Sequence, residues 1–215
     1  MMKNIKYKII ALCLLMGAGL GLKACEPATL VVGTGAYIGT MAMEARGVEQ
    51  SARDKWVATQ LFTQIVNQDA AYINQLGFEV VEGRVLAVGR VENQAKLDEV
   101  LRLIWNIDGV YEVINEIEIG GDHRENDWQR AYDAKIAADL QIRLFADRDI
   151  YGVNYGFEVF NGRVFVIGIA QNQDEIDLIL NHIHQIKRVK GYRLHIMLKD
   201  SQERLYWLER LKAPA

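Results

Sequence analysis

Sliding the chain along itself by 79 positions aligns residues 54–119 with 133–198 without a gap, and 20 of the 66 paired residues are identical. The densest stretch pairs Gly77-Phe78-Glu79-Val80-x-x-Gly83-Arg84-Val85-x-x-x-Gly89-x-x-x-Asn93-Gln94 with Gly156-Phe157-Glu158-Val159-x-x-Gly162-Arg163-Val164-x-x-x-Gly168-x-x-x-Asn172-Gln173. An internal repeat decides the architecture before any local reading does, because each copy must fold by the same rules. The chain is therefore two copies of a small unit, not one large domain.

Each copy carries the same order of hydrophobic periods. Val57, Leu61 and Ile65, then Ile136, Leu140 and Leu144, recur every fourth residue and predict an amphipathic helix at the start of each unit. Two strand-like runs follow, 78–81 and 84–89 in the first copy, separated by Glu82-Gly83; the second copy has Asn161-Gly162 there, the residue pair that best tolerates the positive φ of a two-residue hairpin turn. Leu97, Val100, Leu101 and Ile104, mirrored by Ile176, Ile179, Leu180 and Ile183, predict a second helix. Val113, Asn115, Ile117 and Ile119, and Tyr192, Leu194, Ile196 and Leu198, alternate as a last strand. The expected fold class is α+β: two tandem α-β-β-α-β units, each a three-stranded mixed sheet packed on two helices.

The residues Glu82-Gly83-Arg84-Val85-x-x-x-Gly89, the helix after Asn93, and Gly109-Val110-x-x-Val113-x-Asn115-x-Ile117-x-Ile119 closely resemble the BON domain. The second copy departs from that pattern at its end, where Arg188-Val189-Lys190-Gly191-Tyr192 stands in place of the Gly-Val…Val-Asn segment. With a basic, then apolar amino terminus, the lipobox-like Leu22-Lys23-Ala24-Cys25, a Val31-Val32-Gly33-Thr34 tether and two such units, the arrangement of the whole chain resembles a family of dual-BON outer-membrane lipoproteins. That resemblance implies binding of anionic phospholipid, concentration at division sites and support of outer-membrane integrity, with the first helix of the second unit as the lipid-contacting element.

The amino terminus reads as an export signal with a lipid-attachment site. Lys3, Lys6 and Lys8 precede residues 9–22, an uncharged run too short to span a membrane and right for a signal sequence. Leu22-Lys23-Ala24-Cys25 resembles the bacterial lipobox, with Lys23 at a position usually held by a small residue. Cys13 falls in the discarded segment, so Cys25 is the one thiol of the mature chain: an acyl anchor, not half of a disulfide. Residues 28–43 are uncharged, with glycines at 33, 35 and 39, and read as a membrane-proximal tether or, alternatively, a membrane-embedded or self-associating segment. The expected organisation is 1–24 signal peptide, 25–50 lipidated tether, 51–120 and 121–199 BON units, and 200–215 a terminal helix. That helix is opened by an Asp200…Glu203 capping box and docks on a unit or contacts a membrane or partner.

Charge excludes some functions and localises others. The chain has 25 Lys+Arg against 28 Asp+Glu, and loss of the signal with its four lysines leaves −7, which disfavours nucleic-acid binding. Residues 54–119 hold five bases and eleven acids, whereas 133–198 hold eight of each. Residues 178–199 contain no acid and carry Lys187, Arg188, Lys190, Arg193 and Lys199; each cation beside an anionic bilayer contributes about 1 kcal/mol. The alternative for this stretch is a solvated basic edge balanced by the acidic first unit. At the start of the second unit, Asn126 reads as a helix cap with Gln129 three residues on. Trp128 and Tyr132 then overhang the stripe of Ile136, Leu140 and Leu144, with Arg130 and Lys135 beside them. This aromatic tip is suited to lipid headgroups or to packing between the units.

Nothing marks a catalytic centre. The mature chain's serines stand at 51 and 201, outside any nucleophile motif. His182 and His184 are two apart on a helix, where side chains diverge by roughly 200°; His123 and His195 have no partner by spacing. No glycine pattern cradles a phosphate. The sequence implies no metal, cofactor or enzymatic activity. Together with the resemblance, it implies instead a lipid-anchored, periplasm-facing outer-membrane protein expected to bind phosphatidylglycerol or cardiolipin through Trp128, Arg130, Tyr132, Lys135, Lys187, Arg188, Lys190 and Arg193. The alternative is a module that docks an envelope assembly or secretion partner.

Overall fold

The computed structural model describes residues 47–120 and 127–212. The signal, the lipobox with Cys25, the glycine-spotted tether, His123 and the Asn126 cap lie outside the described residues. The elements run α1 (Gly47–Gln68), β1 (Leu76–Val81), β2 (Arg84–Val91), α2 (Gln94–Trp105) and β3 (Glu112–Ile119). They continue with α3 (Asp127–Ala146), β4 (Tyr155–Phe160), β5 (Arg163–Ala170), α4 (Gln173–Gln185), β6 (Gly191–Leu198) and α5 (Gln202–Lys212). Short 3₁₀ turns at Ala70–Asn74 and Gly152–Asn154 join each first helix to its hairpin. The α+β class and the tandem α-β-β-α-β order are as the repeat predicts.

Each sheet has three strands, ordered β1-β2-β3 and β4-β5-β6. The hairpin pairs are antiparallel, and the strand after the crossover helix adds in parallel, with Ala87 facing both Phe78 and Asn115, and Val166 facing both Phe157 and Leu194. Both hairpin turns have two consecutive residues in the left-handed region, Glu82 (φ 53°) and Gly83 (70°), Asn161 (52°) and Gly162 (78°). Such turns match the twist of the strands they join. A buried aspartate on each first helix secures them: Asp54 accepts from the Glu82 and Gly83 amides at 2.8 and 3.0 Å, and Asp133 from those of Asn161 and Gly162 at 2.7 and 2.8 Å. Asn93 and Asn172 cap α2 and α4 by accepting the amides of Lys96 and Glu175 at 3.0 and 2.9 Å.

The helical stripes meet the sheets in two cores. Val57, Leu61, Ile65, Leu97, Val100 and Ile104 pack on Val80, Val85 and Ala87, and Ile136, Leu140, Leu144, Ile179 and Ile183 pack on Val164 and Val166. The strands alternate, so their other faces must also find cover. They find it in each other: Val81, Leu86, Val88 and Ile114 of the first unit form one buried cluster with Phe160, Phe165, Ile167, Ile169 and Met197 of the second. The two repeats are thus layered helix, sheet, sheet, helix, with α1 and α2 on one outer face and α3 and α4 on the other.

Polar groups ring this joint. Arg193 and His195 reach Glu116 at 3.3 and 3.0 Å, Arg163 pairs with Glu118, and Arg84 Nη1 donates to the His195 carbonyl at 3.2 Å. Helix α5 closes one side. Ser201 Oγ, not Asp200, accepts from the Arg204 amide at 3.3 Å, so the cap sits one residue beyond the expected capping box. Trp207 packs on the joint, and Arg204 forms a bidentate pair with Glu82 in the turn of the first unit, at 2.7 and 3.0 Å, with side-chain exposures of only 7% and 3%. Arg204 also donates to the Lys199 carbonyl at 2.6 Å.

At the edge of the joint, the Glu158 carboxyl lies against Gly77 and the Glu79 carboxyl against Gly156, a reciprocal arrangement of repeat-related residues. Burial pushes the Glu158 carboxyl up from 4.5 to about 7, against a weaker downward pull from the Phe78 amide that donates to it. A raised carboxyl favours the fold in its protonated form. Stability should therefore fall as pH rises from 4.5 to 7, by on the order of 1–3 kcal/mol. Glu158→Gln should remove that dependence and raise the melting temperature by several degrees at pH 8 but not at pH 4.5, as thermal melts across this range will show.

Candidate functional site

The buried carboxylate of Asp133 fixes the first turns of α3 to the hairpin below, and Gln129 Nε2 donates to the same carboxylate at 2.8 Å. This anchoring sets the side chains on either side of Asp133. Trp128 projects outward at 73% exposure, Arg130 is exposed next to it, and Tyr132 is 37% exposed at the edge of the core stripe. The sequence-predicted division holds along the helix: Ile136, Leu140 and Leu144 are buried, and the aromatic residues overhang them.

The loop from α4 to β6 rises beside this helix. Tyr132, Lys135, Ile136, Asp139 and Arg143 on α3, Gln185 at the end of α4, and Ile186, Lys187 and Arg188 on the loop line an open hollow of about 400 Å3. Four of the sequence-predicted contact residues, Tyr132, Lys135, Lys187 and Arg188, are thereby brought together. The Arg188 guanidinium lies 3.9 Å from the centroid of the Tyr132 ring, a cation–π contact that bridges helix and loop. Arg143 pairs with Asp139 at 2.8 Å and donates to Gln185 Oε1 at 3.0 Å, which leaves the hollow with a basic excess from Lys135, Lys187 and Arg188.

The other predicted residues lie apart from the hollow. Lys190 turns to the hairpin and reaches Asn161 Oδ1 at 3.2 Å and Gln129 Oε1 at 3.4 Å, which brings its charge near the start of α3. Arg193 is exposed on the opposite face of β6 and is engaged by Glu116 of the first unit. Lys199 is exposed beyond the end of β6. His182 pairs with Asp147 at 2.8 Å, and His184 sits edge-on to Tyr192 at 5.3 Å, so the two histidines face different partners. Among the described residues no group of His, Cys, Asp and Glu is arranged to hold a metal ion.

Sequence reasoning missed two features. Ile142 and Phe145 are exposed on α3, and with Trp128, Ala131 and Ala138 they extend an outer apolar stripe along the helix. The seven-residue spacing of Trp128, Lys135 and Ile142 was the available signal, since seven residues make two helical turns. The second feature is backbone strain. Arg188 aligns with Gly109 in the repeat, and both adopt positive φ, 93° for the glycine and 71° for the arginine. An L-residue in that region is strained, and such strain gathers where a side chain has work to do.

The family model for the BON domain matches residues 53–121 and 132–191, more than half of the chain and both copies of the repeat. The chain belongs to the BON domain family. The chain is 34% identical over 125 residues to a protein of Anaplasma centrale known as an uncharacterized protein in the gshII 5' region, covering 58% of this chain and 82% of that one. The outer membrane lipoprotein DolP of Haemophilus influenzae is 26% identical over 168 residues, covering 75% of this chain and 83% of its own length. Among solved structures, CdsD, a structural protein of the Type III secretion system of Chlamydia trachomatis, matches 74% of this chain and 99% of its own. Its identity of 12% and TM-score of 0.29 are too low to carry an argument.

Because Arg188 holds a conformation suited to glycine, two substitutions separate strain from side-chain contact. Arg188→Gly relieves the strain while losing the stacked cation, whereas Arg188→Ala loses the cation and keeps the strain. Chemical denaturation should find the glycine variant more stable than the alanine variant by about 1 kcal/mol.

Proposed function

We propose that this BON protein is a non-enzymatic, lipid-anchored component of the cell envelope that binds anionic phospholipid through its second unit and supports outer-membrane integrity. The observation that carries the reading is the convergence of Tyr132, Lys135, Lys187 and Arg188 on one open hollow, beside a helix that turns Trp128, Ile142 and Phe145 outward. The likeness to an outer membrane lipoprotein supports the envelope location.

The chemistry is that of interfacial binding. A helix lying in the headgroup zone gains from apolar side chains on its outer face, and aromatic residues are favoured at that depth. Basic residues beside it meet phosphate groups, each contributing about 1 kcal/mol near an anionic surface. Cys25 is acylated and faces the periplasm from the outer membrane. One acyl chain alone gives marginal anchoring, so a second contact from the folded part strengthens residence. Among the described residues no helix is long and apolar enough to cross a membrane, so contact by the described part rests on its surface. Arg130 and Lys190 add to the field that attracts phosphatidylglycerol or cardiolipin without lining the hollow, whereas Arg193 is engaged by Glu116 of the first unit.

A chain starting at residue 46 should co-sediment with phosphatidylglycerol or cardiolipin vesicles and not with neutral phosphatidylcholine vesicles, and the binding should weaken with salt. Lys187→Glu and Trp128→Glu should each reduce the partition coefficient by about 5-fold or more. Equal binding to neutral vesicles, or no effect of either substitution, would remove the basis for this reading.

A further inference from the structure

The first unit repeats the hollow of the second with different chemistry. Gln50, Arg53, Trp56 and Val57 on α1 and Asp108, Gly109 and Tyr111 on the loop before β3 enclose about 340 Å3, with Asp54 at the base. In the repeat, Asp108 stands where Lys187 does, Gly109 where Arg188 does, and Trp56 where Lys135 does. Gly109 gives the first hollow no side chain at the position where Arg188 stands in the second. An aromatic and acidic wall faces that position.

The wall is built in place. The Tyr111 ring packs against Gly83 in the hairpin turn, and the Tyr111 amide donates to the Gly83 carbonyl at 2.8 Å. Asp54 is held by the two turn amides. Arg53 is already paired with Glu49 at 2.6 Å, so its charge is answered within α1. Asp108 is exposed, and Trp56 is 50% exposed beside it. An exposed carboxylate next to two aromatic rings is a receptor for a cation, since a guanidinium or ammonium gains from both the charge and the ring faces. In the second unit a guanidinium already meets one ring in this way, with Arg188 over Tyr132.

We propose that the first-unit hollow docks an arginine- or lysine-bearing segment of another protein. Charge complementarity at the hollow favours that occupant, because its lining carries Asp54 and Asp108 against one base, Arg53, which Glu49 already pairs. The layering also favours it. The hollow belongs to the α1 and α2 layer, opposite the α3 and α4 layer assigned to lipid, so a partner docks on the side turned away from the membrane. The layering bears on the occupant only through the lipid reading; the lining of the hollow does not depend on it, so peptide binding and vesicle binding can fail separately.

The test uses the full-length chain in a detergent with neutral headgroups, titrated with a short peptide of alternating arginine and serine and with its counterpart bearing glutamate in place of arginine. The expected result is a saturable shift of the backbone amides of residues 50–57 and 108–111 with the arginine peptide and none with the glutamate peptide. Trp56→Ala and Asp108→Lys should each weaken that binding by about 5-fold or more while leaving sedimentation with phosphatidylglycerol vesicles unchanged. Absence of these shifts, or shifts that persist in both variants, would overturn the proposal. Shifts at the hollow that grow with protein concentration without peptide would overturn the assignment to another protein in favour of a second copy.

Discussion

The joint between the two sheets is the interaction on which the rest of the molecule depends. A three-stranded sheet covered by two helices leaves one apolar face bare, and a unit of this size has little core to spare. Leu86, Val88, Phe165, Ile167 and Ile169 resolve this by burying the bare faces against each other. Once the sheets are back to back, the helices have to lie outside, and the loops that follow α2 and α4 are fixed on opposite layers. The reciprocal seating of Glu79 on Gly156 and Glu158 on Gly77 sets the two units in register, and the buried Arg204–Glu82 pair ties the end of the chain to the first unit's turn. An ion pair this deep adds less to stability than to the uniqueness of the arrangement, because desolvation offsets much of its attraction.

Duplication with divergence then explains how one fold carries two different surfaces. The positions that build the unit are shared: Asp54 and Asp133 under the turns, Asn93 and Asn172 at the caps, Gly83 and Gly162 in the hairpins. The positions that line the hollows are not. Where the first unit has Asp108 and Gly109 the second has Lys187 and Arg188, and the second of these differences puts a side chain on a backbone that favours glycine. Net charge of the whole chain concealed this difference, since the acids lie mainly in the first unit and the acid-free stretch in the second.

Most of the fold was legible in the sequence because its signals are local and periodic. The four-residue stripes from Val57 and Ile136 and the Asn161-Gly162 turn each declare an element without reference to the others. The joint was legible in principle. Residues 85–88 and 164–167 are continuous apolar runs, the mark of strands buried on both faces, where a sheet open on one side would alternate. What such runs do not name is the partner face. The site divided along the same line. Trp128 and Tyr132 could be placed from helical spacing, but the meeting of Tyr132 with Arg188 joins residues 56 apart and depends on how the loop before β6 leaves its helix. Arg193 shows the converse: it belongs to the basic stretch in sequence, yet strand alternation places it toward Glu116 and the first unit.

The central claim is that the two outer layers differ in what they bind, with lipid contact confined to the second. Mapping backbone amides during titration with phosphatidylglycerol bicelles tests it most directly. The account predicts perturbations along α3, from Trp128 to Phe145, and at Lys187, Arg188 and Lys190, with residues 50–57 and 108–111 unmoved. Perturbations spread equally over both layers, or confined to the first, would contradict it.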